Sequence, residues 1–165
     1  MSRQLSFDFS EEVTFPITTP LLPIRPKPLE DEILSSWLTR VAFHNGLTPS
    51  QLSYHLIGNH YLLSIEVDRI PSQHLLKSIT IHTGISENEI LKMAFSKYED
   101  NIHLRFEKHG NIPHVVSPGY KNTKTGAIRG FAFCPDCLRE DREPYFRKQW
   151  RYTFAVSCNK HARLL

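Results

Sequence analysis

Cys134-Pro135-Asp136-Cys137 is followed twenty residues later by Cys158-Asn159-Lys160-His161, and the two clusters use all three cysteines of the 165-residue chain. Written out, this is C-x2-C-x20-C-x2-H. A pair of ligands two residues apart can bend round a tetrahedral ion, and three thiolates with one imidazole complete a closed structural zinc site. The expected ligands are therefore Cys134, Cys137, Cys158 and His161, and the expected cofactor is one structural Zn2+. Three cysteines cannot all pair, and residues 1–28 have neither the basic start nor the apolar core of a secretory signal. A reducing compartment fits better than a disulfide scaffold. Catalytic zinc is the sharper competitor, because Cys-Pro-Asp-Cys is similar to the P-C-x-x-C half of nucleobase deaminases. Those enzymes need an upstream H-x-E, however, and none of the nine histidines has Glu two residues later. His-Glu-x-x-His is absent as well. No enzymatic activity is expected.

Hydrophobic residues make up 40% of the chain and mean hydropathy is −0.35. No apolar run approaches the ~20 residues that span a bilayer. The net charge of +3 hides an asymmetry: residues 1–101 carry 8 Lys/Arg against 12 Asp/Glu, and residues 102–165 carry 12 against 5. The half with the metal motif is thus the half suited to a polyanion.

Four segments must position the ligands. Residues 1–28 hold Pro16, Pro20, Pro23, Pro26 and Pro28 and read as an extended Pro-rich arm. Residues 29–99 read as a small helical domain. Ile33, Leu34, Trp37, Leu38, Val41 and Ala42 recur at helical spacing and Gly46 supplies a stop. Thr48-Pro49-Ser50-Gln51 is a capping box that opens a short helix ended by Gly58. A third helix is expected from Ser72 to Thr83, and Ser86-Glu87-Asn88-Glu89 opens a fourth, Glu87 to Lys97, with Ile90, Leu91, Ala94 and Phe95 inside. Helix, glycine turn, helix is the outline of a helix-turn-helix. The last helix is not strongly basic, and a base-reading helix is expected to show more Arg, Lys, Asn or Gln. Residues 100–133 form a basic connector, with Lys121, Lys124 and Arg129 as candidate phosphate contacts. Residues 134–165 form the Cys3His zinc module. There Trp150, Tyr152, Phe154 and Val156 alternate with polar or small residues, which predicts a strand running into Cys158. Arg142, Arg147, Lys148 and Arg151 on the same loop are candidates for a basic face that holds nucleic acid. The fold class expected is mainly α: a helix-turn-helix-like domain, then a zinc module with a short β element.

Three ordered motifs resemble one family. Glu32-Ile33-Leu34-Ser35-Ser36-Trp37-Leu38-Thr39-Arg40 resembles the E-S-L-S-S-W-L-x-R opening of TniQ family proteins, which include the TnsD target selectors. His82-Thr83-Gly84-Ile85-Ser86 through Ile90 resembles that family's second helical signature. Phe133 to Leu138, then Pro144-Tyr145-Phe146-Arg147 and Trp150-Arg151, then Cys158-x-x-His161, resembles its zinc segment. The resemblance implies a target-site selector in DNA transposition, located in the bacterial cytoplasm. It would bind DNA or an RNA-guided CRISPR effector complex and pass the site to an AAA+ transposition ATPase (TnsC-like), with no membrane partner. The N-terminal part is then the candidate for meeting the ATPase. Ile33 stands where the family often has Ser, and Glu32 reads as a helix N-terminal residue. No further Cys-x-x-Cys follows His161 in the sequence, which fits a minimal member or the N-terminal piece of a longer one. Beside the adaptor stands a second expectation, a zinc-containing helix-turn-helix transcriptional regulator that binds its own operator.

Overall fold

A computed structural model of the chain describes residues 21–58, 65–96, 116 and 131–165. Helix α1 spans Leu34–His44, α2 Pro49–Ile57, α3 Ile65–Arg69, α4 Gln73–Thr83, α5 Glu87–Lys92 and α6 Pro135–Glu140. A 3-10 turn follows at Lys148–Arg151.

Local chemistry sets most of the helix ends. Thr48 Oγ1 accepts the Gln51 N–H at 3.2 Å while Gln51 Oε1 accepts the Thr48 N–H at 2.8 Å, so α2 starts on a complete capping box with Pro49 at its first position. Ser72 and Ser86 cap α4 and α5 through the N–H groups of Leu75 and Glu89. Gly58 and Gly84 end α2 and α4 in the left-handed region, at φ +68° and +75°, which a side chain disfavours. α2 packs on both α1 and α4, α1 also meets α3, and α4 meets α5. Trp37, Leu38, Val41, Leu52, Ile79 and Ile90 are wholly buried at the centre of this bundle.

Part of the Pro-rich arm belongs to the bundle. Leu22 is buried in the core, and its N–H donates to the His82 carbonyl at 2.7 Å. Asn45 clasps Ile24 from both sides, accepting its N–H at 3.0 Å and donating to its carbonyl at 2.7 Å. The Trp37 indole N–H donates to the Pro26 carbonyl at 2.9 Å. Residues 1–20 lie outside the described residues.

Two expectations are corrected. The fourth helix stops at Lys92 rather than Lys97, because the chain turns so that the Phe95 N–H donates to the Asp68 carbonyl at 2.8 Å. Phe95 is buried as expected, but in a second cluster with Ile33 and Val116. The strand expected over Trp150–Ser157 does not form. Trp150 lies in the 3-10 turn, and Phe154 and Val156 are exposed. Alternation failed as a signal because Arg151, on the supposed polar face, is drawn inward by a carboxylate. Among the described residues the β content is isolated antiparallel bridges: Glu32 with Arg147, Val116 with Tyr152, and Ser157 with Leu164. Helix α3 was not read from the sequence.

Candidate metal centre

Two short elements present the four ligands. Cys134 is the N-cap of α6 and Pro135 its first residue, where the missing N–H is no loss. The helix then carries Cys137 round one turn to the same side as Cys134. The second pair sits on a tight turn: the Ala162 N–H donates to the Cys158 carbonyl at 2.8 Å and the Cys158 N–H to the Arg163 carbonyl at 2.7 Å. Ala162 adopts φ +50°, which completes the reversal.

The sulfur of Cys137 lies 3.6 Å from that of Cys158. Nδ1 of His161 lies 3.4 Å from Cys134 Sγ, 3.3 Å from Cys137 Sγ and 3.7 Å from Cys158 Sγ. All four ligand atoms fall within 4.8 Å of one another. Zn–S bonds of about 2.3 Å and Zn–N bonds of about 2.0–2.1 Å give tetrahedral edges of about 3.8 Å between sulfurs and about 3.6 Å from sulfur to nitrogen. The donor set and its spacing therefore fit a zinc ion. The three cysteines are buried and His161 is half-buried.

Protons must leave before a metal enters. Burial, with hydrogen bonding to the Cys158 and Cys134 sulfurs, pushes the Cys137 thiol up to about 12. Burial also raises Cys158, but hydrogen bonds from the backbone N–H groups of His161 and Lys160 and from Cys137 and Cys134 together hold that thiol below its ordinary value.

Packing locks this unit to the bundle. Trp150, Leu138 and Phe146 cover the cysteines. The Ile33 N–H donates to the Phe146 carbonyl at 3.0 Å, and the Phe146 N–H to Ser36 Oγ at 2.9 Å. Deeper, Arg151 pairs with Asp68 at 3.0 Å while Ser35 donates to the same carboxylate through its N–H and its hydroxyl. Glu32 is a buried hub rather than only a residue at a helix start. It pairs with Arg40 at 2.7 Å and accepts from the Leu29 N–H and the Ser36 hydroxyl. The other arm of Arg40 reaches Glu143 at 2.8 Å, on the loop of the metal unit.

The candidate nucleic-acid residues divide. Lys121, Lys124 and Arg129 lie outside the described residues. Arg142 is exposed. The other three do not join it in one outer basic face. Arg147 is bound by both carboxylate oxygens of Asp141 at 2.8 and 2.9 Å and stacks over Tyr145, 4.1 Å from the ring centre. Lys148 is buried with its ammonium on the Lys92 carbonyl at 2.6 Å. Arg151 is 2% exposed. Each meets an acceptor inside the fold, and long basic side chains serve packing as readily as phosphate binding.

Two acidic residues of this region were missed by sequence reasoning. Asp68 carried no motif, and only the fold brings it to Arg151. Glu140 did carry a signal: it lies three residues after Cys137 on the same short helix, so it must share that ligand's face. Its Oε1 is 3.1 Å from Nε2 of His161.

A family model, TniQ, matches residues 23–165. No curated protein matches the chain.

Proposed function

The chain belongs to the TniQ family, whose members are adaptors associated with transposition, and from that premise we propose that it selects target sites. In this reading it is a non-enzymatic adaptor that contacts DNA or an RNA-guided CRISPR complex and recruits an AAA+ transposition ATPase. The observation that carries the proposal is the extent of the family match, which runs from residue 23, near the end of the arm, through the helical bundle and the metal unit.

The metal is proposed to be zinc in a structural role. Four protein side chains fill a tetrahedral shell, which leaves no open position for a substrate or an activated water. When bound, the ion ties α6 to the Cys158–His161 turn. Phosphate contacts are assigned to Arg142 and to Lys121, Lys124 and Arg129 of the connector. Lys148 and Arg151 hold the metal unit against the bundle, and Arg147 braces the loop within that unit through Asp141 and Tyr145.

A helix-turn-helix regulator is the second reading, with α4, Gly84 and α5 as the reading unit. The first turn of α5 carries Glu87 and Glu89, which would repel a phosphate backbone where a reading helix needs attraction. That acidity favours the adaptor.

The test is a pull-down from the native host with the chain tagged at its C-terminus, comparing nuclease-treated and untreated lysates. Recovery of an AAA+ ATPase that survives nuclease supports the adaptor. Recovery of one specific duplex sequence without any ATPase overturns it in favour of the regulator.

A further inference from the structure

The imidazole of His161 is held at both nitrogens. Nδ1 faces the three sulfurs at 3.3 to 3.7 Å. On the opposite edge Nε2 lies 3.1 Å from Glu140 Oε1, and the other oxygen of that carboxylate takes the Lys160 ammonium at 2.7 Å. Glu140 is the last residue of α6, the helix that carries Cys137, whereas Lys160 and His161 belong to the ligand turn. One side chain thus joins the two ligand-bearing elements at a point away from the sulfur cluster.

We infer that Glu140 is the positioning residue of the metal centre, selecting the His161 tautomer and ring orientation that give Nδ1 to the ion. The chemistry is direct. A neutral imidazole has one N–H and one lone pair. A carboxylate beside Nε2 favours the proton there, which frees the Nδ1 lone pair towards the cysteines. Its negative charge also makes the ring a stronger donor, and outer carboxylates of this kind tune affinity through the ligand they orient. Lys160, bonded to the second oxygen, keeps the carboxylate turned to the ring.

The inference rests on the zinc reading above, and the experiment separates the two. Zinc affinity of the full chain is measured by competition with a chromophoric chelator, for wild type, Glu140→Ala and Glu140→Gln. The expected result is a loss of about 10- to 100-fold for Glu140→Ala. A smaller loss is expected for Glu140→Gln, whose amide oxygen still accepts from Nε2–H. Cobalt(II) substitution should give a spectrum with three sulfurs and one nitrogen in all three proteins, since no ligand changes. In zinc-loaded protein the Nε2 proton of His161 should exchange with water faster in Glu140→Ala than in wild type, as read by side-chain 15N–1H spectra. A merely structural role for Glu140 would leave that proton unmoved. Wild type that takes up no zinc sinks the metal reading, and this inference with it. Wild type that binds zinc, beside Glu140→Ala with equal affinity and equal Nε2 exchange, overturns the role of Glu140 alone.

Discussion

Arg151 and Asp68 form an ion pair of 3.0 Å with side chains 2% and 1% exposed, joining the metal unit to the end of α3. Asp68 accepts two further bonds from Ser35, at 2.7 and 2.9 Å, and Arg151 lies over the Phe131 ring at 4.0 Å. Burial pushes the Asp68 carboxyl above its ordinary value even though Arg151 opposes the shift. The pair therefore endures a desolvation penalty, and its value depends on both members being present.

Removing one member should be far worse than removing both. Arg151→Leu leaves a buried carboxylate without its counter-ion and should cost about 3–5 kcal/mol in chemical denaturation. Adding Asp68→Asn, which keeps an acceptor for Ser35, should recover much of that loss. Losses of Arg151→Leu and of Asp68→Asn that simply add in the double variant would show that the pair is not coupled. The pH dependence has a sign as well. A carboxyl raised above its unfolded value gains relative stability as pH falls through the folded value, so Arg151→Leu should be least deficient in acid.

Metal removal should act on one part of the molecule. Wild type should hold one equivalent of zinc by elemental analysis, and Cys134→Ser should lose it. Chelation or that substitution should unfold residues 134–165, seen as hydrogen exchange there, while the α1–α4 core keeps its protection. One equivalent of zinc in Cys134→Ser, with unchanged exchange, would refute the ligand set.

Glu143 supplies a separate acid-sensitive contact. Hydrogen bonding from Arg40, and then from His44, holds its carboxyl at about 2. A carboxyl depressed on folding contributes stability that is complete above its unfolded pKa, about 4.3, and is lost as pH falls towards 2. Glu143→Gln should thus melt below wild type at neutral pH, and the two curves should converge near pH 2. Both proteins lose metal in acid alike, so their difference isolates Glu143. A gap that stays constant with pH would exclude this role.

The arm should be releasable. Trp37→Phe keeps an aromatic ring in the core but removes the donor to the Pro26 carbonyl. The lost hydrogen bond should cost about 0.5–1.5 kcal/mol, the cavity left by the smaller ring should add to that, and proteolysis within residues 21–30 should be faster than in wild type. Equal cleavage rates would mean that Leu22 and Asn45 hold the arm without the indole.

Much was legible before any coordinates. That Cys134, Cys137, Cys158 and His161 come together was legible from spacing, because two residues between donors is a local geometric condition, met by one helical turn at Cys134–Cys137 and one tight turn at Cys158–His161. The starts of α2 and α5 were readable from Thr48 and Ser86, since capping involves residues only three apart. Burial of Trp37, Leu38 and Val41 followed from helical periodicity. Tertiary structure alone decided the rest. It turned Arg151 and Lys148 inward, where the sequence showed only a basic loop. It stopped α5 early to satisfy the Asp68 carbonyl, and it replaced the expected strand with a 3-10 turn. In each case the partner lies 50 or more residues away, except Asp68 and Phe95, which are 27 apart. Caps and ligand pairs are settled within one turn of chain. A buried charge is settled by whichever opposite charge or carbonyl the packed elements bring to it, and no local pattern encodes that meeting.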